Sequence, residues 1–181
     1  IRYFKGCLTT LLNKGTMLIR VIHSAQRRRH RVIVDRSDLH KGSPEKSLLA
    51  KGHKKRQGRG FKGRITMRHR GGGVKKMMRV IDFKRKKLDV PAIVRRIEYD
   101  PMRSANIALL FYKDGAKAYI LAPDGLKIGD TVISGKKVEP RIGNSMPLKN
   151  IPIGMPIHSI ELRMGKGAQL VRGAGVAALI Q

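Results

Sequence analysis

The chain has 181 residues, with 40 Lys and Arg against 12 Asp and Glu, and a formal net charge of +28. The single cysteine, Cys7, excludes an internal disulfide and suits a reducing compartment. No stretch reaches the ~20 apolar residues of a membrane span. Aromatic residues are only 4 % of the chain, so contacts to backbone charge, rather than base stacking, must dominate any nucleic-acid binding.

The positive charge is concentrated in the first half. Residues 1–90 carry 27 basic and 5 acidic side chains, whereas residues 91–181 carry 13 and 7. Residues 51–87 hold sixteen Lys or Arg and one acid, Asp82. Like charges at ~4 Å repel by about 1 kcal/mol even in water. This segment therefore requires a polyanionic partner, and we expect it to be poorly ordered without one.

The first 34 residues contain no acidic side chain. This composition fits a transit-derived segment of an organellar protein, and it fits a basic nucleic-acid-binding arm equally well. Residues 37–50 predict one short helix, with Ser43 as its cap and Pro44 as its first helical residue. Residues 51–73 have no usable periodicity and contain seven glycines, which predicts an extended loop.

Strand patterns begin at Met77 and continue to the end of the chain. Asp114 and Gly115 predict a tight two-residue turn between two of the strands. The predicted strands are residues 77–83, 91–99, 104–113, 117–122, 130–134 and 155–162. Short strands at this spacing predict an all-β barrel or sandwich. Residues 171–181 resemble the start of one more strand, which we expect another polypeptide to complete.

Catalytic and cofactor sites are not indicated. Gly58, Gly60 and Gly63 match G-x-G-x-x-G, but basic loop lies where the dinucleotide fingerprint requires a strand and a helix. No histidine pairs with another or with Cys7 at a metal-site spacing. The sequence therefore predicts no enzyme, no catalytic residue, no metal site and no cofactor, with Mg²⁺ present only as ions bound to RNA.

Two patches combine glycine with cations. Gly71, Gly72 and Gly73 leave the backbone bare between basic residues, so it can approach a phosphate or sugar closely. A solvated charged loop is the alternative, but such loops usually mix signs. The second patch, residues 165–175, could equally be an ordinary hairpin turn, and Arg103 could equally be a surface cation.

An ordered series of motifs is more specific than any single patch. These are GRITMRHRGGG (63–73), RVIDFKR (79–85), IEYDPMRSANIALLFYKDG (97–115), YILAPDGLKIGD (119–130), GNSMPLKNIPIG (143–154) and HSIELRMGKGAQLVRGAG (158–175). Through them, residues 35–181 resemble the universal family of large-subunit ribosomal proteins numbered two. The resemblance implies a structural protein that binds large-subunit ribosomal RNA near the peptidyl-transferase region and supports translation and subunit assembly.

The resemblance also implies an architecture. It places a basic extended arm at residues 1–76, an oligonucleotide-binding-type (OB) β-barrel at 77–149, and the first strands of an incomplete SH3-like barrel at 150–181. The family's glycine-rich, histidine-containing loop would lie beyond residue 181, so we do not assign these residues a part in peptide-bond formation.

The expected RNA contacts come from two sources. The resemblance implies Arg64, Arg68, His69, Arg70, Gly71, Gly72, Gly73, Arg103, Lys166, Gln169 and Arg172. Charge adds Arg27, Arg28, Arg29, Arg31, Lys54, Lys55, Arg56, Arg59, Lys62, Lys75, Lys76, Arg79, Lys84, Arg85, Lys86 and Lys87.

The expected partners are ribosomal RNA, neighbouring ribosomal proteins and a separate polypeptide carrying the missing C-terminal half, with no membrane. The acid-free arm favours a mitochondrial ribosome, with a bacterial cytoplasmic or plastid ribosome as the alternative. Two other classes stay open from charge alone: a DNA- or chromatin-binding protein, and an RNA-processing enzyme built on a barrel.

Overall fold

The computed structural model describes residues 19–22, 31–34, 36–50, 57–72 and 74–181. The chain divides into two units, residues 1–38 and residues 39–181. In the first unit, β1 (Ile19–Ile22) pairs antiparallel with β2 (Arg31–Val34). Sequence analysis did not predict this ribbon, although Ile and Val are strong strand formers.

The second unit is built around a four-stranded antiparallel sheet. Its strands are β3 (Ala92–Glu98), β4 (Ile107–Tyr112), β5 (Lys117–Leu121) and β6 (Thr131–Val132), in the order β5-β4-β3-β6. A shift in register between Val94 and Arg96 marks a β-bulge in β3. A bulge bends its strand and increases the local twist, and here it lies in a strand that pairs on both sides.

The central strand β4 is buried on both faces. Ile107, Ala108, Leu109 and Leu110 are each at most 1 % exposed. Alternate residues of a strand point to opposite faces, so these four residues belong to two separate apolar clusters, one on each face of the sheet. Ala108 and Leu110 pack with Val94, Ile120, Leu126 and Val132 on one face, and Ile107 and Leu109 pack with Tyr119 and Leu121 on the other.

The second face is covered by two segments that lie outside the sheet, rather than by another sheet. Leu48, Ile81 and Phe83 pack against the cluster of Ile107 and Tyr119. The backbone N–H of Val80 donates to Leu48 O at 2.9 Å, and that of Asp82 donates to Tyr119 O at 2.8 Å. The prediction of a strand at residues 77–83 is wrong, because the segment makes only single bridges, Leu49 to Arg79 and Ile81 to Tyr119.

A buried polar network fixes the first of these segments. The Tyr119 hydroxyl donates to Glu98 Oε2 at 2.9 Å and accepts from the backbone N–H of Glu45 at 2.9 Å. Lys117 forms an ion pair with Glu45 at 3.1 Å, and Arg96 Nε donates to Glu98 Oε1 at 2.6 Å. Glu98, only 3 % exposed, thus has partners for both carboxylate oxygens, as a buried charge requires.

The short helix expected in this region is a 3₁₀ turn at Lys46–Leu48. Its preceding residue is Glu45, which is extended and makes no side-chain capping bond. Ser43 and Pro44 therefore do not start a helix, and the prediction of their roles is wrong. The turn is set by long-range bonds to Tyr119 and Lys117, which the local sequence does not reveal.

The hairpin between β4 and β5 lies where Asp114 and Gly115 predicted it. Its loop has three residues rather than two, because the Tyr112 N–H donates to Ala116 O at 2.9 Å and encloses residues 113–115. Only Gly115 has positive φ, at 81°. A three-residue loop requires that one left-handed residue, whereas a type I′ turn requires two.

The last part of the chain contains a 3₁₀ turn at Leu148–Asn150 and a pair of short strands, β7 (Pro156–Ile157) and β8 (Ala178–Leu179). These strands pair antiparallel, and the Gly154 N–H donates to Ile180 O at 2.9 Å. The C-terminal strand therefore has a partner within the chain on one side. The expectation that another polypeptide completes this region stays a prediction.

The all-β class with an oligonucleotide-binding-type sheet is confirmed, since the sheet is antiparallel and curled as in a half-barrel. The domain boundaries at residues 76 and 149 stay predictions. None of the helices formed by the described residues combines the length and the apolar character needed to cross a membrane.

Candidate nucleic-acid interface

The glycine-rich basic loop, residues 57–72, folds locally on itself. Gly58 O accepts from the backbone N–H groups of Thr66 and Met67, at 2.9 and 3.1 Å. Arg59 and Ile65 form a β-bridge, and the Arg59 guanidinium donates to Gly63 O at 2.9 Å. The expected extended loop is thus a short closed ribbon, and Arg59, a predicted RNA contact, braces it.

The other cations of this loop, and the two lysines that follow it, are exposed to solvent. Lys62, Arg64, Arg68, Arg70, Lys75 and Lys76 are exposed, and within the described part of the chain their side chains have no ion-pair or hydrogen-bond partner. Gly71 and Gly72 are also exposed, with φ of 134° and 69°, and His69 has φ of 57°. Unpaired cations beside bare backbone are suited to phosphates.

Several predicted contacts lie outside the described residues. These are Arg27, Arg28, Arg29, Lys54, Lys55, Arg56 and Gly73. Arg31 lies in β2, where only the backbone is described.

A second group of predicted contacts meets around Phe83. The guanidinium carbon of Arg103 lies 5.8 Å from the centre of the Phe83 ring, and that of Arg172 lies 5.1 Å from it. Both distances are within the range of cation–π attraction. Two arginines 69 positions apart in the sequence thus contact one aromatic ring. That ring packs on the outer cluster of the sheet, which is the cluster of Ile107, Leu109, Tyr119 and Leu121.

Arg103 is fixed from behind by a buried carboxylate. Asp100 is 0 % exposed, and its oxygens accept from Arg103 Nε at 2.6 Å and from the Met102 N–H at 2.9 Å. The Arg103 side chain itself is 23 % exposed. A guanidinium held this way retains free N–H donors for a ligand, because the carboxylate engages only Nε.

The loop that carries Arg172 is held against the same segment. The Ala168 N–H donates to Phe83 O at 2.9 Å, and the Gly167 N–H donates to Glu161 Oε1 at 2.5 Å. Gly167 has φ of 92°, and a Cβ there would lie 3.1 Å from Lys84 Cγ and 3.3 Å from Phe83 O. The close approach therefore depends on glycine at this position.

These contacts border a groove over the outer face of the sheet. Its floor includes Ile81, Phe83 and Tyr119, and its only acidic lining residue is Asp82. The cations that line it are Lys84, Lys86, Lys87, Lys117, Lys166 and Arg172. Asp82 Oδ1 already accepts from the backbone N–H groups of Lys84 and Arg85, at 3.1 and 2.9 Å. The groove therefore presents a strongly positive surface above an apolar floor.

Some of the predicted contacts have partners within the chain. Arg85 donates to Gly143 O at 3.1 Å, and burial lowers the pKa of its guanidinium from the usual value. Lys87 pairs with Asp114 and lies 4.9 Å from the Tyr112 ring centre. Arg79 donates to Met77 O at 3.0 Å, while its buried Nε has no partner among the described residues. Their contacts with RNA stay predictions.

Sequence reasoning missed several contributors to this site. It did not single out Asp100, Phe83 or Lys117. The signal for Phe83 was present, because an aromatic residue lies directly before the basic run Lys84–Lys87 in a chain poor in aromatics. Nothing local indicates that Asp100 is buried or that Lys117 reaches the groove.

Acidic and histidine side chains do not gather into a further site. Within the described ranges, no group of three or more His, Cys, Asp or Glu residues is placed to hold a metal ion. Gly58, Gly60 and Gly63 lie in the closed loop, not between a strand and a helix.

His158 is a histidine with a shifted pKa. Burial, and then the nearby Arg85, lower the pKa of His158.

An antiparallel β scaffold that presents unpaired cations and a cationic groove defines the class of nucleic-acid-binding β proteins. Comparison with known proteins narrows this class. Residues 45–134 match the model of the RNA-binding N-terminal domain of ribosomal proteins L2, and residues 141–181 match the model of their C-terminal domain. The chain belongs to the ribosomal protein L2 family.

Individual relatives agree with the family models. The chain is 58 % identical over 151 residues to the large ribosomal subunit protein uL2 of Phenylobacterium zucineum. The aligned region covers 83 % of this chain and 54 % of the relative. The chain is 55 % identical over 150 residues to the uL2 of Amoebophilus asiaticus, with the same shares of the two chains. The chain thus spans about half the length of the curated relatives it matches.

Proposed function

We propose that this chain is a structural constituent of a large ribosomal subunit and that it binds large-subunit ribosomal RNA. The observation that carries the proposal is the convergence of Arg103 and Arg172 on Phe83, beside a groove with six lining cations and one acid. Membership of the L2 family, whose N-terminal domain is described as RNA-binding, supports RNA over other polyanions.

The two basic surfaces have different parts in this proposal. The loop 57–72 supplies exposed, unpaired cations that neutralise phosphates, and Gly71 and Gly72 let backbone approach the RNA. The Phe83 site beside the groove supplies fixed cations, because Arg103 is anchored by Asp100 and the loop of Arg172 is bonded to Phe83. Fixed guanidinium groups define the orientation of the RNA, whereas the loop contributes mostly affinity.

Assembly and location are also part of the proposal. We place the chain in a mitochondrial ribosome on the basis of its acid-free first 34 residues. Its resemblance to the family supports a position near the peptidyl-transferase region and a part in subunit assembly. Neighbouring ribosomal proteins would contact it, and a separate polypeptide would extend the β7–β8 pair. No cofactor is involved, and Mg²⁺ takes part only as ions bound to the RNA. Immunodetection in sucrose-gradient fractions of purified mitochondria tests the location, and exclusive recovery with cytosolic ribosomes contradicts it.

A salt titration tests the RNA interaction directly. If about ten cations contact phosphates, the logarithm of affinity for a large-subunit ribosomal RNA transcript should fall with the logarithm of salt concentration with a slope of about −7 to −9. The measurement is filter binding from 50 to 300 mM KCl. A slope shallower than about −3 contradicts the proposal.

A competition experiment separates RNA binding from the DNA-binding alternative. The same basic surface would attract any polyanion, so charge alone predicts equal binding of duplex DNA. The proposal predicts that the ribosomal transcript competes at least tenfold better than duplex DNA of equal phosphate concentration. Equal competition would favour a DNA- or chromatin-binding protein instead.

A further inference from the structure

Phe61 is an exposed aromatic residue in the most basic part of the chain. Its relative accessibility is 103 %, the highest among the exposed large apolar residues of the described part. The chain has only four phenylalanines. Phe83 and Phe111 pack against the outer cluster of the sheet, so Phe61 differs from them in having no packing role.

The turn that carries Phe61 is closed by hydrogen bonds. The Gly63 N–H donates to Gly60 O at 3.1 Å, and the Gly60 N–H donates to Arg64 O at 2.8 Å. The Arg59 guanidinium adds a third bond, to Gly63 O, at 2.9 Å. Phe61 is therefore held at the tip of a braced turn and projects into solvent, which lowers the entropy lost when it meets a ligand.

The charge around this tip identifies the ligand. From Gln57 to Gly72 the loop contains no acidic residue, and Lys62 and Arg64, next to Phe61, are exposed without side-chain partners among the described residues. An aromatic ring flanked by unpaired cations matches a nucleotide of an RNA, since the base offers a π-face and its phosphates offer charge. An apolar protein pocket would leave the cations without partners.

We propose that Phe61 stacks on an unpaired base of the bound RNA, while Lys62 and Arg64 contact the adjoining phosphates. This inference rests on the proposed RNA binding and adds a specific feature to it. The loop then distinguishes unpaired nucleotides from continuous duplex, because a base inside a helix already stacks on its neighbours. Charge alone provides no such discrimination.

The experiment compares the full chain with four variants, using two RNA probes at one salt concentration. The probes are a large-subunit ribosomal RNA transcript, which contains unpaired loops, and a fully paired 20-base-pair duplex RNA. The variants are Phe61→Ala, Phe61→Leu, Phe61→Trp and, as the control, Ile153→Ala. Ile153 is 79 % exposed and does not line the groove. Its replacement therefore measures the effect on RNA binding of removing an exposed apolar side chain elsewhere on the surface.

The expected result is that Phe61→Ala and Phe61→Leu lose affinity for the transcript and not for the duplex. Phe61→Ala and Phe61→Leu should bind the transcript about 5- to 150-fold more weakly, the range measured for loss of one stacked base. Phe61→Trp should bind at least as tightly as the wild type, and Ile153→Ala should equal it. All variants should bind the duplex as the wild type does, and their salt slopes should be unchanged because no charge is altered.

Two results would overturn the inference while leaving RNA binding in place. One is wild-type affinity of Phe61→Ala for the transcript. The other is wild-type affinity of Phe61→Leu, which would show that any apolar side chain serves at this position and that the aromatic ring does not stack on a base. If the wild-type chain itself shows no salt-dependent binding to the transcript, the proposed function fails, and the inference fails with it.

Discussion

Arg172 lies with its guanidinium carbon 5.1 Å from the centre of the Phe83 ring, and this contact joins the loop at 165–175 to the segment that covers the outer face of the sheet. Cation–π pairs at exposed sites contribute about 0.5–1 kcal/mol each. Phe83 takes part in two of them, with Arg172 and with Arg103. The ring therefore brings the two guanidinium groups together, and Phe83 and Arg172 also line the groove.

Replacing Phe83 by leucine should weaken RNA binding without removing any charge. The two cation–π contacts are lost, so affinity for the ribosomal transcript should fall by up to about five- to thirtyfold, while the salt slope stays the same. Leu121→Val is the matched control, because Leu121 belongs to the same cluster and does not line the groove. It should bind as the wild type does, and an equal loss in both variants would point to general loosening of the outer cluster.

Gly167→Ala should disturb the groove more than Gly165→Ala. Both residues have positive φ, at 92° and 80°, so both variants incur backbone strain of about 1 kcal/mol or more. Only at Gly167 does the added Cβ meet neighbours, Lys84 and Phe83 O. Urea unfolding should show the larger loss of stability for Gly167→Ala, and only this variant should also lose RNA affinity. Equal effects in the two variants contradict a close approach at Gly167.

Asp100→Ala should lower both stability and RNA affinity. Asp100 is fully buried and its removal leaves the Arg103 side chain and the Met102 N–H without their acceptor. Breaking a buried pair by removal of one member costs about 3–5 kcal/mol, and less where, as here, one partner is partly exposed. Asp100→Asn retains an acceptor and should lose less in urea unfolding. Unchanged transcript binding by a folded Asp100→Ala chain would show that Asp100 does not position Arg103.

The central strands could be predicted because their signals are local. Residues 92–98, 107–112 and 117–121 are runs of β-branched and aromatic residues between turn sequences, and the strands formed there. The segment at 77–83 has the same composition but formed none. Its Ile81 and Phe83 pack against one face of the sheet, and the segment meets β5 only through the bridge of Ile81 to Tyr119. Packing of this kind depends on residues far along the chain.

For the basic residues too, the sequence predicts what is local and does not predict contacts between distant segments. Charge identified Lys62, Arg64 and Arg68, which are exposed and unpaired. It also selected Arg85, whose guanidinium bonds to Gly143 O 58 residues away, and Lys87, which pairs with Asp114. A sequence reports that a side chain is cationic. Whether the fold uses that cation internally is decided by contacts between distant segments.

Stability should fall as the pH is lowered through about 6.5, and His158 should account for part of the fall. Burial lowers the pKa of His158 below its usual value of 6.5, Arg85 lowers it further, and a bond with the Leu121 backbone partly opposes this. Between the two pKa values the unfolded chain binds a proton that the folded chain does not, so acidification favours unfolding. Above pH 6.5 both forms are neutral and the effect is absent.

His158→Gln tests this assignment, because glutamine can still donate a hydrogen bond but does not titrate in this range. Urea unfolding at pH 7.5 and pH 5.5 should show a smaller loss of stability for the variant than for the wild type. His69→Gln, in the exposed basic loop, is the control and should lose as much stability as the wild type does. If His158→Gln loses as much stability as the wild type, the acid sensitivity arises from other groups, because the variant has no imidazole at position 158 to protonate.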